Sequence, residues 1–291
     1  MSVLNAILMG LLQGLTEFLP VSSSGHLVIF KLVFGVNTDT GILFDVMLHI
    51  GTLGAVFVAF WKDIRQLAIE TVRIIYDVIQ NIKIFINNRK TGDDDPYRKI
   101  VHNNYRKFVM LILVSTIPTG ILGFVAQGLV EKAGSSLLFP GIGLLITGIL
   151  LLVVDFINSG NKIPKDVTYA NAMWIGICQG ISTFPGISRS GMTICACLLA
   201  GLNRKFAVKY SFLMSVPAIL GAAVLELKNF GSETMSLGLG FTYLLGMIVA
   251  GVVGYFCVKT MLVLVRKKQF RYFAYYCFLI GIIALISNFV M

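Results

Sequence analysis

Two segments of this chain are copies of each other. Residues 5–25 and 171–191 align without a gap and agree at Asn5/Asn171, Ala6/Ala172, Gly10/Gly176, Gln13/Gln179, Gly14/Gly180, Phe18/Phe184, Ser22/Ser188, Ser24/Ser190 and Gly25/Gly191. The match continues thinly at Leu32/Leu198, Gly35/Gly201 and Asn37/Asn203, dividing a single domain, 1–291, into repeats of about 1–170 and 171–291. Both copies lie in apolar stretches, Leu4–Phe34 and Ala172–Leu202, and each stretch is broken midway by Pro, Gly and hydroxyl residues, at Leu19–Gly25 and Phe184–Gly191. Neither break can continue a helix, because proline lacks the N–H and glycine and serine favour turns. What remains on either side is a half-helix of about ten to fourteen residues, too short to cross a bilayer alone. Non-helical backbone at membrane depth survives only where protein or a water-filled cavity satisfies it. The pattern therefore predicts two re-entrant hairpins, 4–34 and 172–202, whose tips line a polar cavity.

Composition makes the solvent lipid. Hydrophobic residues are 56% of the 291 and charged residues only 13%, where a soluble domain carries about a quarter charged. Mean hydropathy is +0.84. Six further apolar runs are long enough to span: Gly41–Trp61, Phe108–Val130, Leu137–Ile157, Tyr210–Leu227, Leu237–Val265 and Tyr272–Met291. Three of these separate the hairpins, and an odd number inverts the second copy. The expected fold is an all-α polytopic membrane protein, an inverted-topology repeat with about six transmembrane helices and two re-entrant helical hairpins meeting near mid-membrane.

Charge gives the orientation. Nineteen of the 24 Lys and Arg fall in 62–107, 158–171, 201–209 and 265–271, which this topology puts on one face. The positive-inside rule makes that face cytoplasmic and both termini external. The net charge of +10 is thus a loop property, and a nucleic-acid partner is not expected. No cleavable signal peptide is evident, since the first charge is Glu17. The five cysteines lie in apolar runs without CxxC spacing and read as small core residues. Within the cytoplasmic loop 62–107, apolar residues from Ile64 to Phe85 recur near helical spacing and predict a helix on the membrane surface, followed by a mobile loop at Asn87–Asp95.

The tips differ where chemistry would need them to. The first holds Glu17 and His26 where the second has Thr183 and Met192, and the second holds Arg189 where the first has Ser23. Gln13 and Glu17, four apart, share one helix face and can aim oxygens at one ion, a hard one such as Mg²⁺ or Ca²⁺, or at a cationic partner. A carboxylate inside a bilayer is a functional candidate by default, with a structural pair to Arg189 as the plainer alternative. Ser22, Ser23 and Ser24 beside His26 suit nucleophilic transfer, or else cap the next half-helix. Arg189, flanked by Ser188, Ser190 and Gly191, could hold a multiply charged anion, and half-helix N–H groups at Gly25 and Gly191 would complete a phosphate or diphosphate cradle. Asp45 and His49 form another i,i+4 pair, equally readable as an interhelical contact.

The segments Gln13–His26 and Pro185–Thr193 resemble the two signature motifs of the bacterial undecaprenyl-diphosphatase family of the bacitracin-resistance type, in order and spacing. The resemblance implies hydrolysis of undecaprenyl diphosphate, a polyprenyl lipid, to the monophosphate and phosphate, recycling the carrier of cell-wall synthesis. It implies a divalent cation, Mg²⁺ or Ca²⁺, and a site in the bacterial cytoplasmic membrane open to its outer face. Glu17 would be the essential acid and, with Gln13, a metal ligand; Ser23 the nucleophile; His26 the catalytic histidine; Arg189 the phosphate-binding arginine. Ser22, Ser188 and Thr193 match further polar positions. Attack by water activated at His26 is the alternative to Ser23, and a homodimer is left open. The rival class is a transporter or flippase for an anionic lipid or phosphate compound, since inverted repeats with broken helices mark carriers.

Overall fold

The computed structural model describes residues 1–36, 43–157, 160–229, 237–265 and 269–290, without the side chains of 225–229. Short outer loops are expected from the sequence around Gly35–Thr40, Glu131–Ser136 and Asn229–Ser236; of these, residues 37–40 and 230–236 lie outside the described residues, as do Arg266, Lys267 and Lys268 and the ends of two expected spans at Gly41 and Met291.

The described chain is helical, with a single isolated β-bridge, Lys162 to Leu202. The first hairpin is α1 (Val3–Phe18) and α2 (Ser23–Phe34). Then come α3 (Leu43–Ala59), α4 (Trp61–Thr91), α5 (Asn104–Ala133) and α6 (Leu138–Phe156). The second hairpin is α7 (Tyr169–Ile181) and α8 (Arg189–Leu199), followed by α9 (Arg204–Asn229), α10 (Leu237–Leu264) and α11 (Phe270–Val290). Five of these are long and apolar enough to cross a membrane: α5, α6, α9 as far as Val224, α10 and α11. The pair α3–α4 makes a sixth when counted together, with a 90° bend between them. All six expected spans thus have helical counterparts, and both expected breaks fall between helices.

Within the segment 62–107, the helix expected from Ile64 to Phe85 is present as the larger part of α4. α4 continues to Thr91, where Gly92 (φ +79°) closes it in the left-handed conformation glycine tolerates. The segment expected to be mobile is tied back to it: Asn88 Nδ2 donates to the Asp95 carbonyl (3.1 Å), and Asp95 N–H donates to Asn88 Oδ1 (3.3 Å).

Packing exchanges equivalent elements between the halves. α1 packs most extensively on α10, and its counterpart α7 packs most extensively on α5. The repeated glycines explain the closeness. A Cβ on Gly10 would lie 2.5 Å from the Gly246 carbonyl oxygen, and one on Gly176 would lie 2.1 Å from that of Ser115. In lipid, where hydrophobicity does not drive helices together, such small residues let backbones approach and gain dispersion contact. α6 and α11, which close the two halves, pack extensively on each other.

Candidate active site

Each hairpin tip is built by the same local device. Ser22 caps α2, its Oγ accepting from Gly25 N–H (3.2 Å), and Ser188 caps α8, its Oγ accepting from Gly191 N–H (3.1 Å). Ser24 and Ser190 each sit 3.3 Å from their capping neighbour's hydroxyl. The backbone between half-helices is held by the closing helices. Thr147 of α6 accepts from Ser188 N–H and donates to the Gly186 carbonyl, both at 2.9 Å. On the other side, α11 brings Cys277 Sγ to 3.9 Å from the Pro20 carbonyl. The tips touch: a Cβ on Gly25 would lie 2.8 Å from Gly186 Cα. Ser22 has φ +68°, the one non-glycine positive φ among the described residues, and such stored strain concentrates at functional sites.

Glu17 is the hub. It is 5% exposed at the end of α1, and its Oε2 accepts from Ser23 Oγ (2.5 Å) and Gln13 Nε2 (3.0 Å). Its Oε1 accepts from the Arg189 guanidinium of the opposite tip. The pair treated above as the plainer alternative is therefore present, and it binds the two tips together through the cluster where chemistry was expected. Ser23, Ser24, Ser22, Ser188, Arg189 and Glu17 line a cavity of about 400 Å³.

The other residues singled out from sequence fall elsewhere. Neither ring nitrogen of His26 reaches Ser23. In the neutral ring, Nδ1–H donates to the Ser22 carbonyl (2.7 Å), and Nε2 accepts from Tyr276 O–H (2.9 Å), with the two rings stacked. Proximity in sequence suggested the Ser23–His26 pair, but tertiary packing on α11 claims the imidazole. Thr193 is fully buried and turns to Ser211 Oγ (2.5 Å) and the Arg189 carbonyl (2.8 Å), so it braces α8 from behind. Gly25 and Gly191 donate the capping bonds from their N–H groups, and Gly25 leaves room where the tips meet. Gln13 presents its amide NH₂ to Glu17, so its oxygen is not aimed with Glu17 at a shared ion, and Oε1 is buried without a partner.

Three residues gain weight from the structure. His49 of α3 lines the cavity with Nε2 at 3.8 Å from Glu17 Oε2, while its Nδ1–H donates to the Asp45 carbonyl (2.7 Å). Asp45 lines it too, its Oδ2 bonded to Lys31 Nζ (2.6 Å) and its Oδ1 shielded without a partner. Gln179 is 1% exposed, lines the cavity, and has no partner for either amide atom. Sequence held one hint of the last, the Gln13/Gln179 identity.

No group of three or more His, Cys, Asp or Glu gathers as a metal cage among the described residues. Mg²⁺ is commonly bound by one or two carboxylates completed by substrate phosphates. Glu17 and Asp45 line one cavity and are the carboxylates that would hold such a cation, Glu17 once a substrate draws Arg189 away from it.

Fold and site together define a polytopic membrane protein whose paired hairpin tips bring a hydroxyl, a carboxylate and a guanidinium together at one cavity. The family model "Bacitracin resistance protein BacA" matches residues 6–283, and the chain belongs to that family. It is 40% identical over 291 residues, all of both chains, to a protein of Methanosphaera stadtmanae named undecaprenyl-diphosphatase. Proteins of the same name from Alkaliphilus metalliredigens and Halothermothrix orenii are also 40% identical, over 99% and 98% of both chains.

Proposed function

We propose that this chain hydrolyses undecaprenyl diphosphate to undecaprenyl phosphate and inorganic phosphate, within the cytoplasmic membrane and from a cavity open to its outer face. The observation that carries the residue assignment is the contact across the tips, in which Ser23 and Arg189 both donate to Glu17. The full-length similarity to relatives named for this activity supports the reaction itself.

The chemistry follows from the donors. A diphosphate entering the cavity competes with Glu17 for Arg189, whose planar fork suits phosphate oxygens bidentately. Backbone N–H groups at the starts of α2 and α8 add positive dipole ends. Released from the guanidinium, Glu17 is a stronger base, and its 2.5 Å bond to Ser23 Oγ makes it the acceptor of that hydroxyl's proton as the oxygen attacks the terminal phosphorus. The bond from that phosphorus to the bridging oxygen breaks, undecaprenyl phosphate leaves, and water then cleaves the phosphoserine to release inorganic phosphate and restore Ser23. His49 Nε2 faces the same carboxylate oxygen and can take the proton onward. His26, locked between Ser22 and Tyr276, orients the start of α2. A divalent cation held by Glu17 and Asp45 would supply charge neutralisation on the diphosphate. The polyprenyl tail stays in lipid between helices, which requires a site at membrane depth.

Phosphate release from undecaprenyl diphosphate by detergent-purified protein tests this, with Mg²⁺, Ca²⁺ or chelator, beside Ser23→Ala. Cation-dependent release lost in the variant is expected. Full release in chelator removes the cation role, full release by Ser23→Ala moves attack to water, and no release under any cation favours a carrier.

A further inference from the structure

A helix facing water turns its apolar residues inward, but α4 buries only Leu67 and Ile74 in that way and leaves a row of large apolar residues on its outer side. Its inward side carries all three of its carboxylates, each already paired. Asp63 Oδ1 lies 2.8 Å from Lys209 Nζ, Glu70 Oε2 2.9 Å from Arg106 Nε, and Asp77 Oδ2 2.6 Å from Arg106 Nη1. The Arg106 hydrogen bond holds the Asp77 carboxyl below its ordinary range. Asn81, one turn on, exchanges two hydrogen bonds with the Arg98 backbone (2.9 and 2.8 Å). The outward side is Val72, Ile75, Ile79, Ile82 and Ile86, spaced three and four apart and 46% to 66% exposed. Exposed Arg65, Lys83 and Lys90 run along that same side, and no carboxylate of α4 faces it.

We infer that α4 is an anionic-lipid docking element, seated in the headgroup region of one leaflet with its isoleucine stripe toward the acyl chains and its cations on lipid phosphates. Two observations select lipid over protein as the occupant. α3, a 17-residue apolar helix, leads into α4 through a 90° bend, so α4 runs across the direction of α3 rather than continuing it. The exposed face carries apolar and basic residues and no carboxylate of α4, complementary to an anionic leaflet that attracts Lys and Arg near its surface. Two copies of the same face would oppose cation to cation.

The five native cysteines are buried, so a thiol introduced at Ile79 labels selectively. Full-length Ile79→Cys carrying a fluorophore, in nanodiscs of zwitterionic or phosphatidylglycerol-containing lipid, is compared with Asp94→Cys on the exposed segment after α4. At position 79, quenching by spin-labelled lipid, protection from iodide, and deeper quenching in the anionic discs are expected; position 94 should show the opposite preference. Adding Lys83→Glu and Lys90→Glu should abolish the anionic increment. Should that combination fail to fold, the lipid comparison on Ile79→Cys alone decides. Iodide quenching at 79 equal to that at 94 overturns the inference, as does equal behaviour in both lipids. Shielding from both quenchers with thiol cross-linking between copies assigns the face to a second copy instead.

Discussion

The two hairpin tips share a frame and divide the chemistry. In both, a serine caps the second half-helix, a second serine leans on the cap, and a glycine N–H donates the capping bond. Ser23 and Arg189 are equivalent positions in the repeat, at the first turns of α2 and α8, and both donate to one carboxylate, Glu17, whose own counterpart is Thr183. A symmetric frame thus delivers a hydroxyl from one side and a guanidinium from the other to a single anionic hub. Serines and glycines that stayed identical hold backbone at the tips; Ser23, Arg189 and Glu17, at positions that differ, make the contact between the tips. The exception is informative: Gln13 and Gln179 are identical, yet one is bonded to Glu17 and the other is unpartnered at the cavity wall.

Removing a diverged residue should break this division most severely. Arg189→Ala and Glu17→Ala are each expected to lower kcat by about 10²–10³-fold, the scale of losing a preorganised charge partner; a rise in KM alone would make them binding groups only. Next comes the identical pair. Gln179→Leu removes two buried polar atoms that lack partners, so it should leave the melting temperature in detergent unchanged or raised, while KM for the diphosphate rises about tenfold as one ligand hydrogen bond is lost. Gln13→Leu should lower the melting temperature, because it strips a donor from a buried carboxylate. A falling melting temperature in Gln179→Leu would show that glutamine to be structural. The smallest effects belong to the shared frame: Ser188→Ala should cost about 1 kcal/mol of stability with kcat nearly intact, as for other lost caps. A collapse of kcat there would mean the frame touches substrate.

The spans and the hairpins were legible because hydropathy and proline act locally, and the gapless repeat marked both tips. Glu17, Ser23 and Arg189 were readable for a related reason: charge and hydroxyls in an apolar stretch must converge on something. Partners were not readable. Ser23 and His26 lie three apart, yet Tyr276, 250 residues on, takes the ring. Asp45 and His49 looked like any interhelical contact until α3 was placed beside α1. The helix from Ile64 to Phe85 was readable from its spacing, but the pairing of Glu70 and Asp77 was not, because Arg106 comes from α5.

The interlocking of the halves has a consequence for synthesis. α1, made first, finds its partner surface on α10, and Glu17 waits for Arg189, 172 residues later. A ribosome delivering about 5–20 residues per second leaves the first hairpin without its counterpart for many seconds. During that interval a half-built chain carries a buried carboxylate with no cation to meet it, and only near completion do the anion hub, its arginine and the α11 ring come together. The enzyme is thereby silent until nearly its last helix has entered the bilayer, and a truncated chain should be inert and readily cleared.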